Sequence, residues 1–518
     1  MPPSSLATPR RRIKFVVALA VALFSVAARE APAPRTPRLR VLLVVVDGLR
    51  PDHVTPGTTP TLAAIAARGV ASSAHHSIYP TVTRVNATSL ATGVFARVHG
   101  ILDNTIFLPT VDSTRTLNTG AARAMMYADS VLGGHLITAP SMHELLAARG
   151  LRSVVASAGS SGSAYLLAGA GRAPVLATDF IFPAALEPGV RTRVGPPPPA
   201  GSSTARADEW AVDALLRVGV DSLDVDVGML WLTDPDHTVH GAGLGTPVAD
   251  SVIRAVDRAV ARLMDGLATR GLRDLVDIIV VSDHGFSTHA GKDAPIARVL
   301  APCRDQIVVA GNAVYLRPGH HVTRSDLVKA LIASPDVGAI FTPALAGDST
   351  RGSEEGTFPN ASARWEHARA GDVLFSANWS HARNAAGIAG WTAQGGVAGH
   401  GTTSPYDIGA TFLAAGPHIK RGVRSRVPSA NIDVAPTILA LLGVPVPQAM
   451  DGRALREVLR DGPDPARVAI RRQAQTAATE LAGAPHARYR VTLFTSTVGA
   501  TRYLDSTITT RALVLGRP

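Results

Sequence analysis

The chain has 518 residues, a formal net charge of +11 and 46% hydrophobic residues, so it can bury a large core. Its single cysteine, Cys303, excludes an internal disulfide framework and a thiolate metal cage. With 5% aromatic residues and no basic run beyond the N-terminus, a nucleic-acid-binding surface is not expected.

Residues 1–28 read as an export signal. Arg10, Arg11, Arg12 and Lys14 precede an apolar run from Phe15 to Val26, with Ala27-Ala28 or Ala31-Pro-Ala33 as small-residue cleavage contexts. The run is shorter than the roughly twenty residues that span a bilayer, so cleavage is expected, with no stable membrane span afterwards. This points to a bacterial periplasmic or secreted protein. Residues 29–38 form a linker.

Val41 to Val46 is a continuous Val/Leu run ended by Asp47-Gly48, the pattern of a strand buried on both faces. Helices are expected over 60–67, over 84–92 up to Gly93, and over 142–149, followed by a strand at 151–156. Ser157 to Ser163 reads as a flexible loop and 196–203 as irregular surface. Helical spacing over 207–218 and 251–269 is followed by strands at 227–232 and 276–281. Such alternation predicts an α/β fold with a mostly parallel sheet and helices on both faces. Ligands of such sheets bind beyond the carboxyl ends of the strands, where Asp47, Asp234, Asp236 and Asp283 fall.

Further along, a strand–helix unit is expected between 307 and 332, and 359–378 as part of a cap beside the site. A strand is predicted over 408–415, a helix over 431–442, an amphipathic helix over 465–481 and paired strands over 489–503. The implied organisation is a catalytic domain over 39–456 with a cap or insertion at about 295–395. Residues 457–518 would form an appendage packed on the catalytic domain.

Three aspartates, Asp47, Asp236 and Asp283, and three histidines, His240, His284 and His400, suffice as ligands for two metal ions. Carboxylate and imidazole suit zinc, with manganese as the competitor. Asp236 and His240 are spaced i, i+4, one face of a helical turn. Singly, each has an ordinary reading: a turn residue for Asp47, a helix N-cap for Asp236, a surface histidine for His240, a turn cap for Asp283-His284, a loop tip for His400. Together they point to paired metals, the usual solution for displacement at phosphorus.

Thr83 stands just before a predicted helix. Metal coordination would lower its hydroxyl pKa, and neighbouring N–H groups would favour a phosphoryl oxygen. The alternative is that Thr81 or Thr83 is an N-cap. Asn104 would donate its amide to a phosphate oxygen, or else be a turn residue after Asp103.

Pro80-Thr-x-Thr83-x-x-Asn86, Thr92-Gly93, His99-Gly100-Ile and Asn104 together resemble the alkaline phosphatase superfamily, specifically the type I nucleotide pyrophosphatase/phosphodiesterase family. Asn431-Ile-Asp-Val-Ala-Pro-Thr and Met450-Asp-Gly-Arg453 are similar to its late structural signature, and the resemblance covers roughly Leu39 to Arg456. It implies a three-layer αβα sandwich and a small-molecule phosphate ester substrate. It also implies two zinc ions, one held by Asp47, Thr83, Asp283 and His284, the other by Asp236, His240 and His400. The expected reaction is cleavage of phosphodiester or pyrophosphate bonds through a phospho-threonine, with Asn104 binding a phosphoryl oxygen.

The chain departs from that family in having Arg84 and Val85 where Phe and Pro are usual, and in lacking a nucleobase sandwich near Gly159 to Tyr165. A phosphomonoesterase or phosphonate hydrolase with the same site is the alternative, and a non-catalytic binding protein a further one. A sulfatase is not expected, because Cys303 lacks a Cys-x-Pro-x-Arg setting. A monoesterase should add cations near the phosphate, for which Lys292 and Arg84 are candidates. The default reading of Arg84 is a solvent-exposed helix position. Oligomeric state is left open.

Overall fold

A computed structural model describes residues 38–199, 201–291, 295–481 and 486–513. The export signal, nearly all of the linker and Lys292 lie outside the described residues. The centre is a nine-stranded sheet in the order 423–425, 70–72, 412–415, 277–281, 41–46, 227–232, 153–157, 175–177, 181–182. Val41–Val46 runs parallel to Asp277–Val281 on one side and to Val227–Leu232 on the other. Ser153–Ser157 and Val175–Ala177 continue in parallel, while Phe412–Ala415 and Ile181–Phe182 pair antiparallel with their inner neighbours.

The Val/Leu run serves two cores, because successive side chains of a strand point to opposite faces. Val41, Leu43 and Val45 pack with Val85, Ala87 and Leu90 of the helix Thr83–Thr92. Leu42, Val44 and Val46 pack with Trp210, Ile253, Val256 and Val260 of the helices Thr204–Ala214 and Pro247–Thr269. Each such side chain, fully buried, contributes ~1.5–3 kcal/mol. The result is the expected three-layer αβα sandwich, and the cores on both faces fix which ends of the strands converge.

Beyond it, 307–310, 313–316, 373–377, 337–342 and 358–359 form a five-stranded sheet flanked by the helix Arg324–Ala333. Strands 287–291, 389–399 and 379–383 form a smaller sheet leading into the segment of His400.

Three expectations need correction. The amphipathic helix over 465–481 is absent: Arg471–Glu480 is a strand pairing antiparallel along its whole length with Ala487–Val498, which pairs in turn with Thr501–Leu513. Its Ala, Arg and Gln content favours a helix, but none of its side chains is fully buried, and sheet pairing overrides that weak propensity. The supposed flexible loop from Ser157 to Ser163 is largely buried and opens the helix Ser161–Leu167, whose cap is Ser160 Oγ accepting from Ser163 N at 3.2 Å. Its small residues serve close approach: a Cβ on Gly162 would lie 2.0 Å from the Thr119 carbonyl oxygen. The strand over 408–415 is confined to Phe412–Ala415, because Pro405–Ile408 turns helically under a Ser404 cap.

Candidate active site

Asp47 directly follows one central strand, Asp283 stands two residues beyond its parallel neighbour, and Asp236 opens the helix Asp236–Ala242 beyond a third. Gly48 makes the turn after Asp47 possible at φ +69, a left-handed backbone where a Cβ would lie 3.1 Å from Asp236 Cβ. Its N–H donates to Asp283 Oδ1 at 3.1 Å. Trp231 Nε1 donates to Asp47 Oδ2 at 3.0 Å, so each carboxylate has one oxygen fixed by the protein.

The other oxygens are orphans. Asp47 Oδ1, Asp283 Oδ2 and Asp236 Oδ1 are buried without a hydrogen-bond partner. Around them stand three imidazoles. His240 and His400 bring Nε2 to 3.2 Å and 3.3 Å from Asp236 Oδ1. His284 Nε2 lies 3.2 Å from Asp283 Oδ2, 3.6 Å from Asp47 Oδ1 and 3.9 Å from Asp236 Oδ1. The rings of His284 and His400 stack at 3.5 Å between centroids.

Each histidine is oriented from behind. Nδ1 donates to a main-chain carbonyl: Gly285 for His284 at 3.0 Å, Thr81 for His400 at 2.8 Å, Ala398 for His240 at 3.0 Å. This fixes the tautomer that leaves Nε2 as an acceptor, the second-shell arrangement of metal-binding histidines. Ligand atoms of Asp236, His240 and His400, and separately of Asp47, Asp236 and His284, lie within 4.8 Å of one another. Asp236 thus borders both groups, and Asp283 adjoins the second through His284.

The electrostatics agree. Burial, then the charges of Asp283 and Asp236, push Asp47 well above the usual carboxylate range. Burial and Asp236 push Asp283 to about 6. Burial pushes Asp236 upward too, but His240 and His400 outweigh it and hold Asp236 well below that range. Burial, aided by His400, drives His284 well below its ordinary value. Burial pushes the His400 imidazole downward, but Asp236 outweighs it and raises it, so that pair shares charge. Mutually repelling buried carboxylates around the neutral His284 ring are still costly unless multivalent cations sit among them. The donor set, carboxylate oxygen and imidazole nitrogen without thiolate, suits zinc or manganese.

Thr83 Oγ1 lies 3.3 Å from His284 Nε2 at the edge of this cluster. Neither Thr81 nor Thr83 caps the helix: the N-cap is Val82 and Thr83 is the first helical residue. Thr81 instead accepts from Gly401 N and donates to Thr402 O, fastening the segment before Thr83 to that of His400. Asn104 Oδ1 accepts from Arg84 N at 2.9 Å, which leaves its NH2 as the free half of the amide beside the helix start. Asp103 accepts from Asn104 N and Asn312 N, and burial lifts it to about 6.

Arg84 is no exposed helix residue. It is half-buried, Nη2 donates to Ser160 Oγ at 3.1 Å, and Nε is buried without a partner. Tyr165 offers no open platform for a base: it is 4% exposed and packs edge-on against Phe180 and Phe182. A cavity of about 620 Å³ opens beside the cluster, lined among others by His289, Asn312, Phe375 and Gln394. Gln394 Nε2 donates to His400 O at 3.2 Å and Asn312 Nδ2 to Gly401 O, so its wall is tied to the metal-ligand loop.

The residue list drawn from sequence missed three supports. Trp231 was visible as the penultimate residue of a buried strand, and Asn86 and Asn431 as parts of recognisable segments. Asn431 Nδ2 bonds both Asp283 O and Asn86 Oδ1, a role no local pattern specifies.

A family model described as type I phosphodiesterase / nucleotide pyrophosphatase matches residues 41–382. Among curated proteins, ectonucleotide pyrophosphatase/phosphodiesterase family member 7 of Homo sapiens is 26% identical over 282 residues, 52% of this chain and 54% of that protein. Family member 1 of Mus musculus is 26% identical over 284 residues, 54% of this chain and 27% of that protein. The alignments therefore span about half of the former's length and about a quarter of the latter's. Murine ectonucleotide pyrophosphatase / phosphodiesterase 5 shares the fold at TM-score 0.58 and 18% identity, covering 81% of this chain and 100% of that one. An inactive form of that murine protein in complex with AMP is equally similar.

Proposed function

Because the chain belongs to the type I phosphodiesterase / nucleotide pyrophosphatase family, we propose that it is a two-zinc phosphoric ester hydrolase. It would cleave phosphodiester or pyrophosphate bonds through a phospho-threonine. The observation that carries this reading is the meeting of three orphan carboxylate oxygens and three oriented Nε2 atoms beside the Thr83 hydroxyl. In this reading Asp47, Thr83, Asp283 and His284 hold one zinc, and Asp236, His240 and His400 the other, with manganese the less suited substitute. Residues 39–456 act as the catalytic unit.

Two divalent cations bound there supply positive charge that lowers the Thr83 hydroxyl pKa and offsets the phosphate charge. The chain's residues do the rest. Thr83 Oγ1 gives its proton up to solvent and forms a bond to phosphorus as the bond to the leaving oxygen breaks; the leaving group departs with that electron pair and takes a proton from solvent. Asn104, its Oδ1 held by Arg84 N, donates Nδ2–H to a non-bridging oxygen whose charge grows in the transition state. Main-chain N–H groups at the start of the helix Thr83–Thr92 add to that stabilisation. Water then breaks the Thr83–phosphorus bond, releasing the phosphate product and restoring the hydroxyl. The cavity walled by Phe375 and Gln394 would receive an organic substituent of the ester.

The AMP complex of the murine relative supports a nucleotide-derived substrate, while Arg84 favours one with added charge. Export to the periplasm or beyond rests on residues 1–28. Among the described residues no helix is long and apolar enough to cross a membrane.

The test is metal titration of chelator-treated protein. Two equivalents of zinc should bind and restore hydrolysis of an aryl phosphodiester, and Asp236→Ala should abolish both. Full activity of metal-free protein would overturn the reading.

A further inference from the structure

We propose that Arg84 is a specificity-determining residue whose guanidinium binds a second anionic oxygen of the substrate, so that the site takes phosphates with an extra negative charge at or next to the attacked phosphorus. This rests on the phosphoric ester hydrolase reading and names the substrate class within it.

Four observations converge on Arg84. It directly follows Thr83, and its own N–H is held by Asn104 Oδ1, so its position is fixed by two groups of the proposed site. Its side chain is drawn inward: Nη2 reaches Ser160 Oγ, the cap of the neighbouring helix, and the guanidinium passes close to Gly120, where an added Cβ would meet Nη2 at 3.1 Å. Nε is buried with no partner, and among the described residues no carboxylate forms an ion pair with the guanidinium. Yet Asp47, Asp236, Asp283 and Asp103 all act on it electrostatically, which places it in the field of the cluster.

A half-buried guanidinium whose buried Nε has no acceptor and which has no carboxylate partner is costly, and the cost is removed by an anion in its fork. The Asn104 amide and a guanidinium without a carboxylate partner, whose Nη2 alone is held by Ser160, together offer more donors than one monoanionic diester can use. A terminal phosphoryl group with two charges, or a pyrophosphate with charge on the neighbouring phosphorus, fills them. Ser160 holds the guanidinium by Nη2, and Nε is left without a protein acceptor.

The experiment measures kcat/KM of zinc-loaded wild type, Arg84→Lys and Arg84→Met on an aryl phosphate monoester, a methyl aryl phosphodiester and a dinucleoside pyrophosphate. Arg84→Met should lose on the order of 10- to 100-fold on a doubly charged substrate and clearly less on the diester, with partial recovery in Arg84→Lys. Loss on the monoester places the second charge on the attacked phosphorus, and loss on the pyrophosphate alone places it on the neighbour. The Kd for inorganic phosphate should rise by a similar factor with Tm unchanged. Equal loss on all three substrates, or no change in phosphate affinity, would overturn the proposal. If wild type hydrolyses none of the three while phosphate affinity still depends on Arg84, the hydrolase reading fails and the anion site stands. If Thr83-dependent hydrolysis proceeds with Arg84→Met indistinguishable from wild type, the reverse holds.

Discussion

Asn431 donates its side-chain amide to the main-chain oxygen of Asp283 at 2.8 Å, and the same nitrogen bonds Asn86 Oδ1 at 3.0 Å. Asn86 in turn bonds Ile78 N, Ile78 O and Val82 O. Two buried amides thereby lock the helix that presents Thr83 to the strand end that presents Asp283 and His284. Asn431→Ala should lower zinc affinity by about 10- to 100-fold, as loss of outer-shell partners does, and Asn431→Asp should not restore it because a carboxylate cannot donate. Competition with a chelator measures this, and unchanged affinity would remove Asn431 from the account.

Trp231 makes the hydrogen bond to Asp47 Oδ2 that opposes the upward push of burial on that carboxyl. Trp231→Phe keeps an aromatic ring in the core and removes only the donor. Metal affinity should fall by roughly tenfold and become more dependent on pH, with a smaller effect on Tm. The readout is metal content after dialysis at pH 6 and pH 8.

Buried histidines outside the metal-ligand set should weaken the fold in acid. Burial drives His75 and His99 to about 3 and His143 to about 4. The unfolded chain binds protons below about pH 6.5 where the folded chain does not, so their stabilisation is full above that pH. It is lost at ~1.4 kcal/mol per pH unit for each group down to their folded values. Asp103, lifted to about 6, works oppositely, adding stability as pH falls from there towards 3.8. Buried Asp208, Asp407 and Asp433 are raised like Asp103, while His53, His289 and His367 are lowered like the other histidines, so the histidine share is isolated by substitution. Urea midpoints at pH 7 and pH 5 test it, and His143→Gln should reduce the difference by about one histidine's share.

Val309 lies on the open wall of the cavity beside His400 and is 44% exposed. Val309→Trp should therefore fold normally and narrow the space for the ester substituent. The expected result is a raised KM for a bulky aryl diester with a methyl ester little affected. Equal KM changes for both would detach the cavity from substrate binding.

The sequence made the site legible where chemistry follows a local rule. A buried Val/Leu run ending in Asp-Gly marks a strand edge, and Asp236 with His240 marks one turn of helix. Arg84 was misjudged because helix position alone does not tell whether a long side chain turns to solvent or to Ser160. Asn431 and Trp231 went unassigned because their partners lie 148 to 345 residues away in the chain. Arg471–Glu480 was misread because an exposed edge strand has no buried face to impose a period of two. The Ser/Gly segment at 157–163 was misread because small residues signal both flexibility and tight packing, and only its neighbours decide.

The central claim is attack by Thr83 in a metal-dependent phosphoryl transfer. The most direct measurement is single-turnover hydrolysis of an aryl phosphodiester by zinc-loaded wild type and Thr83→Ala, with acid quenching and mass analysis of the protein. The account predicts a transient phosphoryl adduct on the peptide containing Thr83, and a loss of at least about a thousandfold in the variant with zinc still bound. Turnover by Thr83→Ala at the wild-type rate would contradict it.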